Sequence, residues 1–336
     1  MNLQHRIDLL VRLGKYILSE NDSWTAAKHK AGEENGWFIP EFTEHAANNI
    51  ARHYLQRPLL ENWATAYNLP DYQPTPKNTG IIMAGNIPLV GFHDWLSVFI
   101  SGHNAVVKPS SRDKVLINHL VETLATWDSE CSRQTVFADM LKGCDAYMAT
   151  GSNNSSRYFE YYFAKYPHVI RRNRTAVAIL DGTETTAELE ALADDIFLYF
   201  GLGCRNVTKL YVPVGYDFVP LLAAFNKYSH LADHHKYKNN YDYNLALYML
   251  NKQYYMTNGA ILLIEAAPLF SPVSQLNYEF YPDPASLSDR LAAHQDDIQC
   301  ITGHGHLPFG QAQTPALTEY ADGVDTVRFL CSIVNS

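Results

Sequence analysis

The sequence contains no Cys-x-x-Cys pair. Its five cysteines (131, 144, 204, 300, 331) are odd in number and unpatterned, which argues against a disulfide framework or a zinc cluster and sets a reducing cytoplasm as the expected compartment. No long Lys/Arg block occurs and the formal net charge is -9, so nucleic acid and anionic membrane surfaces drop out as main partners. An uninterrupted apolar run of about 18 residues is also missing, and no membrane span is expected. The opening MNLQHRIDLLVRLGKYILSEND has apolar positions at helical spacing broken by charges, which predicts an amphipathic helix rather than a signal peptide. There is no GxGxxG fingerprint, since GLGCRN lacks the third glycine, and no HExxH. The histidines of 230–235 and of Gly303-His304-Gly305-His306 lack a ligand set, so no metal is expected; His304, in its glycine-rich loop, is retained as a candidate for proton transfer.

What the chain does have is a globular composition, 47% hydrophobic and 18% charged, and enough length at 336 residues for two domains. Residues 1–75 read as helical, and PDYQPTPKNTG (70–80) as a Pro-rich connector. Beyond it, short apolar runs alternate with helical stretches. Strands are expected at 81–84, 104–107, 146–149, 177–180, 207–212, 260–265, 273–280 and 298–302, and helices near 112–126, 154–165, 186–200 and 216–229. This alternation predicts an α/β fold with parallel sheets covered on both faces, in two doubly wound domains divided near residue 181.

Ligands of open parallel sheets bind at the carboxyl ends of the strands. Three predicted strands end in small or polar residues: Gly85-Asn86, Lys108-Pro109-Ser110-Ser111 and Thr150-Gly151-Ser152. Such turns offer backbone N–H groups to a phosphate, and Lys108 adds a cation. The same residue types are ordinary turn formers and helix caps, so each alone is a weak signal. Cys204 stands out from the other cysteines. Gly201 and Gly203 clear space beside it, and the adjacent Arg205 favours a thiolate, the nucleophilic form. Buried core cysteine is the competing reading, and the one given to Cys131, Cys144, Cys300 and Cys331.

These pieces, in this order, resemble the aldehyde dehydrogenase superfamily, and within it the acyl-CoA reductase family typified by the fatty-acid reductase of bacterial bioluminescence. The resemblance runs from about residue 78 onward. Asn86-Ile87-Pro88 is similar to the family's Asn-x-Pro turn, which implies that the Asn86 amide helps bind an oxyanion. Gly102-His103-Asn104-Ala105-Val106-Val107-Lys108-Pro109-Ser110 resembles the strand whose lysine binds the adenosine ribose. Thr150-Gly151-Ser152 resembles the turn at the cofactor pyrophosphate, Gly203-Cys204 the nucleophile segment, and Pro308-Phe309-Gly310 a late Pro-Phe-Gly turn. Two departures matter. The Glu-Leu-Gly-Gly segment that activates water is replaced by Ile170-Arg171-Arg172-Asn173-Arg174-Thr175, and the Glu-x-Phe-Gly-Pro segment that holds a cofactor ribose by Pro268-Leu269-Phe270-Ser271-Pro272.

The resemblance implies an aldehyde-dehydrogenase-like fold with a cleft between its two domains. Residues 1–180 would supply N-terminal helices and a nicotinamide cofactor-binding domain, and 181–336 a catalytic domain carrying the cysteine. It implies reduction of an acyl thioester, on CoA or an acyl carrier, to an aldehyde through an acyl group on Cys204, with Asn86 as the second catalytic residue. Lys108, Ser110, Ser111, Arg112, Gly151 and Ser152 would bind the cofactor. A glutamate that opposes a 2′-phosphate is replaced by Ser111 with Arg112 next to it, which favours NADPH and leaves NADH open. A homodimer, or a partner protein that donates the acyl group, stays open. A thiol acyltransferase or thioesterase would use the same cysteine without hydride transfer, and would leave Lys108 and Gly151-Ser152 idle.

Overall fold

In both halves of the chain, short apolar runs that end in turn residues become parallel strands. The structure, a computed structural model, describes residues 1–335. It divides into two units, one formed by Met1–Asn173 together with the segment from Pro315 onward, the other by Arg174–Thr314.

The first unit opens with four helices, α1 (Leu3–Ile17), α2 (Asp22–Glu34), α3 (Pro40–His53) and α4 (Arg57–Ala66). Ile7, Leu10, Leu13 and Ile17 recur along one face of α1 and are buried, while Asn2 caps its start by accepting the His5 N–H at 2.8 Å. A proline in the first turn starts both α3 and α4, where its missing N–H costs nothing. The alternating part follows: β1 (Asn78–Ile82), α5 (Phe92–Ser101), β2 (Asn104–Lys108), α6 (Val115–Trp127), α7 (Cys131–Gln134), β3 (Thr135–Phe137), β4 (Ala146–Thr150), α8 (Asn153–Phe163) and β5 (His168–Arg171). The five strands form one parallel sheet in the order β3-β2-β1-β4-β5. α5 is apolar nearly all round and correspondingly buried along its whole length apart from His93.

The second unit contains β6 (Thr175–Ile179), α9 (Thr186–Phe197), β7 (Val207–Pro213), α10 (Phe218–Ala224), α11 (His235–Leu250), β8 (Met256–Thr257), β9 (Leu262–Glu265), β10 (Gln275–Tyr281), α12 (Pro284–Ala293) and β11 (Ile298–Gly303). Its sheet runs β11-β6-β7-β10-β9-β8, parallel except for the short antiparallel edge β8. The chain then returns to the first unit, where α13 (Thr326–Ser332) packs against α5.

The eight expected strands are all present within a few residues of their expected bounds. The dividing line differs from 181. β6 pairs with β7 and β11, so the second unit begins at Arg174, and the last residues of the chain join the first unit, which a single cut in the sequence does not describe.

Candidate active site

The register of the first sheet sets Ile82 of β1 beside Lys108 of β2 on one side and Ala149 of β4 on the other. The turns that follow these three neighbouring strands therefore share the carboxyl edge of the sheet, and they carry Asn86, the Lys108–Arg112 segment and Gly151-Ser152. Two of the turns are packed directly together. A Cβ on Gly85 would lie 2.5 Å from Ser110 Oγ, so only glycine allows this approach. Ser110 Oγ accepts the Arg112 N–H at 3.2 Å, while Lys108, Ser111 and Arg112 are exposed. Asp113 is 5% exposed and accepts the Leu89 N–H at 2.7 Å, which fixes the end of the Asn86 turn, where Leu89 has φ 58°. Burial drives the Asp113 carboxyl well above the ordinary carboxylate range, with the Leu89 hydrogen bond opposing. Ser152 caps α8 by accepting the Ser155 N–H, and the Gly151 N–H donates to the Arg171 carbonyl at 3.4 Å. The first N–H groups of a helix point beyond its start and suit an anion there.

Cys204 lies in the second unit, on the turn between α9 and β7, and is half-buried. The chain reaches it through three successive left-handed residues: Tyr199 (φ 57°), Phe200 (φ 58°) and Gly201 (φ 73°). Two of these carry side chains, and such conformations cost on the order of 1–3 kcal/mol each unless their surroundings enforce them. The surroundings do so: both rings are buried, and the Phe200 ring lies 4.5 Å from that of His234. The turn itself is built around Asn206. Its side-chain carbonyl accepts the Gly203 N–H at 2.8 Å, and its main-chain N–H donates to the Gly203 carbonyl at 3.1 Å. Its amide Nδ2 lies 3.1, 3.3 and 2.8 Å from the carbonyls of Asp195, Ile196 and Leu198, the orphan acceptors at the end of α9. On the other side of the turn, Arg205 donates from Nε to the Ala312 carbonyl. The Ala312 turn is in turn held by α9: buried Asp195 accepts the N–H groups of Gly310 and Ala312 at 2.7 and 2.9 Å. Burial pushes the Asp195 carboxyl up to about 7 against the pull of these two bonds.

Asn206, Asp195 and Asp113 escape a sequence reading. The Gly203-to-Asn206 spacing was the available signal for Asn206, since Asn closes its own turn in this way. Asp195 and Asp113 have no such local sign.

His304 has a different place from that of a proton-transfer group. Its Nδ1 lies 2.8 Å from Asp181 and its Nε2 3.0 Å from Glu188, and these two carboxylates raise it to about 9. An imidazolium with both nitrogens engaged is a clamp between the end of β6 and α9. Asp181, Glu184 and His304 also bring possible ligand atoms within 4.8 Å of one another, but each already serves the local turn: Asp181 accepts from Thr183, Glu184 from the Asp181 and Gly182 N–H groups. His234, of the other histidine cluster, caps α11.

The departures from the motif pattern have structural roles. Arg171 is buried and donates two hydrogen bonds to Asp94 (2.7 and 3.4 Å), one to Thr326 Oγ1 (2.7 Å) and one to the Ala321 carbonyl. The 268–272 segment is held by its neighbours: Asn277 Nδ2 reaches the Pro268 and Phe270 carbonyls at 2.9 and 3.1 Å, and Thr208 Oγ1 donates to that of Leu269 at 2.7 Å. No helix among the described residues is long and apolar enough to cross a membrane.

Comparison with known proteins agrees with this architecture. Aldehyde dehydrogenase 21 from Physcomitrella patens, solved with its product succinate, superposes with a TM-score of 0.68 at 12% identity, covering 99% of this chain and 84% of its own. An NADP-dependent enzyme from E. coli gives 0.64 at 14% identity, and a Mycobacterium tuberculosis aldehyde dehydrogenase complexed with NAD+ gives 0.60 at 15%; each match covers 90% of this chain and 73% of the other. At these identities the likeness establishes the fold, which is that of the aldehyde dehydrogenases. No curated protein matches the sequence significantly. The profile of the family described as acyl-CoA reductase (LuxC) matches residues 43–219, more than half of the chain, from α3 through the Cys204 turn and β7 into α10. With the aldehyde dehydrogenase fold beneath it, the chain belongs to the acyl-CoA reductase (LuxC) family of oxidoreductases.

Proposed function

We propose that the protein reduces an acyl thioester to an aldehyde, with Cys204 as the nucleophile and NADPH as the reductant. The observation that carries this reading is the turn of Cys204: a half-buried thiol on a backbone fixed from both sides, in a chain of the acyl-CoA reductase family. The carboxyl edge of the first sheet fits a nicotinamide dinucleotide. Lys108 would reach a ribose, the start of α8 at Gly151-Ser152 would take the pyrophosphate, and Ser110, Ser111 and Arg112 would face the adenosine end. Exposed Arg112, with no carboxylate at Ser111, favours a 2′-phosphate.

In this scheme the Cys204 thiolate attacks the thioester carbonyl. A new C–S bond forms, the carbonyl electrons move to oxygen, and the CoA thiolate leaves as the carbonyl re-forms. The Asn86 amide, assigned by its Asn-Ile-Pro motif, and a backbone N–H near Cys204 stabilise the oxyanion; such donors contribute about 3 kcal/mol each at comparable sites. The cofactor, when bound, supplies the hydride that takes the acyl group to the aldehyde level. Cys204 then departs as thiolate and releases the aldehyde. The 170–175 segment carries no carboxylate where the motif has its water-activating glutamate, which supports reduction over hydrolysis, since a general base contributes about 100- to 10,000-fold.

The test is to incubate the protein with a series of acyl-CoA thioesters and NADPH or NADH, to quantify aldehyde against free acid, and to locate the acylated residue by mass spectrometry. We expect aldehyde as the main product, faster with NADPH, an acyl group on Cys204, and no aldehyde from Cys204→Ala. Predominant acid, or undiminished aldehyde from that variant, overturns the proposal.

A further inference from the structure

Following the hydrogen bonds outward from the Cys204 turn in either direction leads to the same residue. Inward, the turn is closed by Asn206, and Asn206 Nδ2 is held by the Asp195 carbonyl at 3.1 Å. Outward, Arg205 is held by the Ala312 carbonyl, and the Ala312 and Gly310 N–H groups are held by the Asp195 carboxylate at 2.9 and 2.7 Å. The two paths close a ring with Cys204 on its rim. We infer that Asp195 is a positioning residue for Cys204: its main chain holds the inner side of the nucleophile turn through Asn206, and its carboxylate holds the outer side through the Gly310–Ala312 turn and Arg205.

The chemistry favours a carboxylate at this corner. Two N–H groups converge on one side chain, so it must accept twice and donate nothing. An amide of the same shape accepts with one atom and turns an N–H toward a donor with the other. Asp195 is fully buried, and a fully buried carboxyl without partners is a burden that a fold of this size has no packing reason to keep. Arg205 projects from the turn residue next to the thiol, so fixing its guanidinium fixes both the backbone of Cys204 and the nearest positive charge to it in sequence.

The state of Asp195 is set by its surroundings. Burial raises it to about 7, and adjacent Asp194 adds to the rise, while the two backbone bonds and Arg205 lower it. Asp194 is itself engaged by Lys227 and by the Tyr228 hydroxyl, and the facing segment 308–314 carries no charged residue. Above about pH 7 the carboxylate holds both N–H groups. Below it the added proton removes one acceptor site and loosens the outer side of the turn.

The inference rests on Cys204 being the reactive thiol, and it is tested without any acyl thioester, so that its failure is distinguishable from failure of the proposed reaction. The rate of Cys204 alkylation by iodoacetamide is measured from pH 5.5 to 9 by peptide mass spectrometry on the full chain, with half-buried Cys300 as internal control for general loosening. The wild-type rate is expected to show an inflection near pH 7 in addition to ionisation of the thiol. Asp195→Asn and Arg205→Gln should each remove that inflection and slow alkylation about tenfold at pH 8, the scale expected for a displaced reactive group. The double variant should be no slower than the slower single one, because both act on one path. A wild-type profile without the inflection, additive effects in the double variant, or equal changes at Cys300 and Cys204 would overturn the inference. If Asp195→Asn does not fold, Arg205→Gln decides alone: an inflection that survives in it refutes the path through Arg205.

Discussion

His304 looks in sequence like a residue kept for chemistry, a histidine between glycines. In the structure it is a cation between two anions. Asp181 and Glu188 each fall to about 2, while His304 rises to about 9. The signs set the pH window. A histidine raised above its unfolded value near 6.5 contributes stability that is full below 6.5 and lost as the pH climbs through about 9. The two carboxylates contribute above their unfolded values near 4 and lose that contribution as the pH falls toward 2. The clamp is therefore complete at neutral pH. All three side chains are well exposed, so solvent screening keeps its effect on global stability small. The readable quantity is the titration itself. Glu188→Gln should bring His304 down from about 9 toward the ordinary histidine range in an NMR pH titration, without displacing the Asp181 contact. An unchanged titration would show that Glu188 does not hold the ring.

At the scale of elements, α9 and the turn after it carry most of the information about the site. The helix start is legible: Thr185 and Glu188 form a capping box, with the Glu188 N–H donating to Thr185 Oγ1 at 3.3 Å and the Thr185 N–H to Glu188 Oε2 at 2.8 Å. The helix end is not legible, because it is finished by Asn206 from a distance of ten residues. Asn206→Ala would leave buried carbonyls and the Gly203 N–H without this partner, at a cost on the order of 2–4 kcal/mol. Denaturant unfolding should show that loss, and Cys204 alkylation should change more than that of Cys300. A loss under about 0.5 kcal/mol would mean that the turn holds itself. Other elements follow the same logic. Central strands announce themselves as apolar runs closed by Gly, Asn or Ser. β3 and β5 are short, and both lie at the edges of the first sheet. α11 begins HKYKNNYDYN, a polar run without an apolar stripe, and only its neighbours in the fold select a helix there. Cys204 stands out in the sequence because glycines and an arginine adjoin it, whereas Asp195 takes its place from Gly310 and Ala312, 115 and 117 residues away.

At the scale of the whole chain, the last twenty or so residues decide how the first unit is completed. A linear reading assigns them to the half they follow. Their contacts assign them to the half that came first. Tyr320 accepts a hydrogen bond from Trp63 Nε1 at 2.8 Å and donates one to the Tyr67 hydroxyl at 2.8 Å, and Tyr67 donates to Asp325 at 2.8 Å. Arg171 reaches Thr326, and half-buried His93 of α5 meets the Leu317 carbonyl at 2.8 Å. Val327, Leu330 and Ile333 belong to the same apolar core as Trp63, Trp95 and Ile100. α13 is therefore a wall of the first unit that is laid last, after the second unit has been traversed. Leu330 is fully buried in that wall, and Leu330→Ala should cost about 2–5 kcal/mol through lost apolar transfer and the cavity left behind. The cost belongs to the first unit. Hydrogen exchange at α5, β1 and β2 should accelerate, although these elements lie more than 200 residues before the substitution. Unchanged protection there, with the loss confined to α13 itself, would show that the returning segment is only an ornament on a unit already complete.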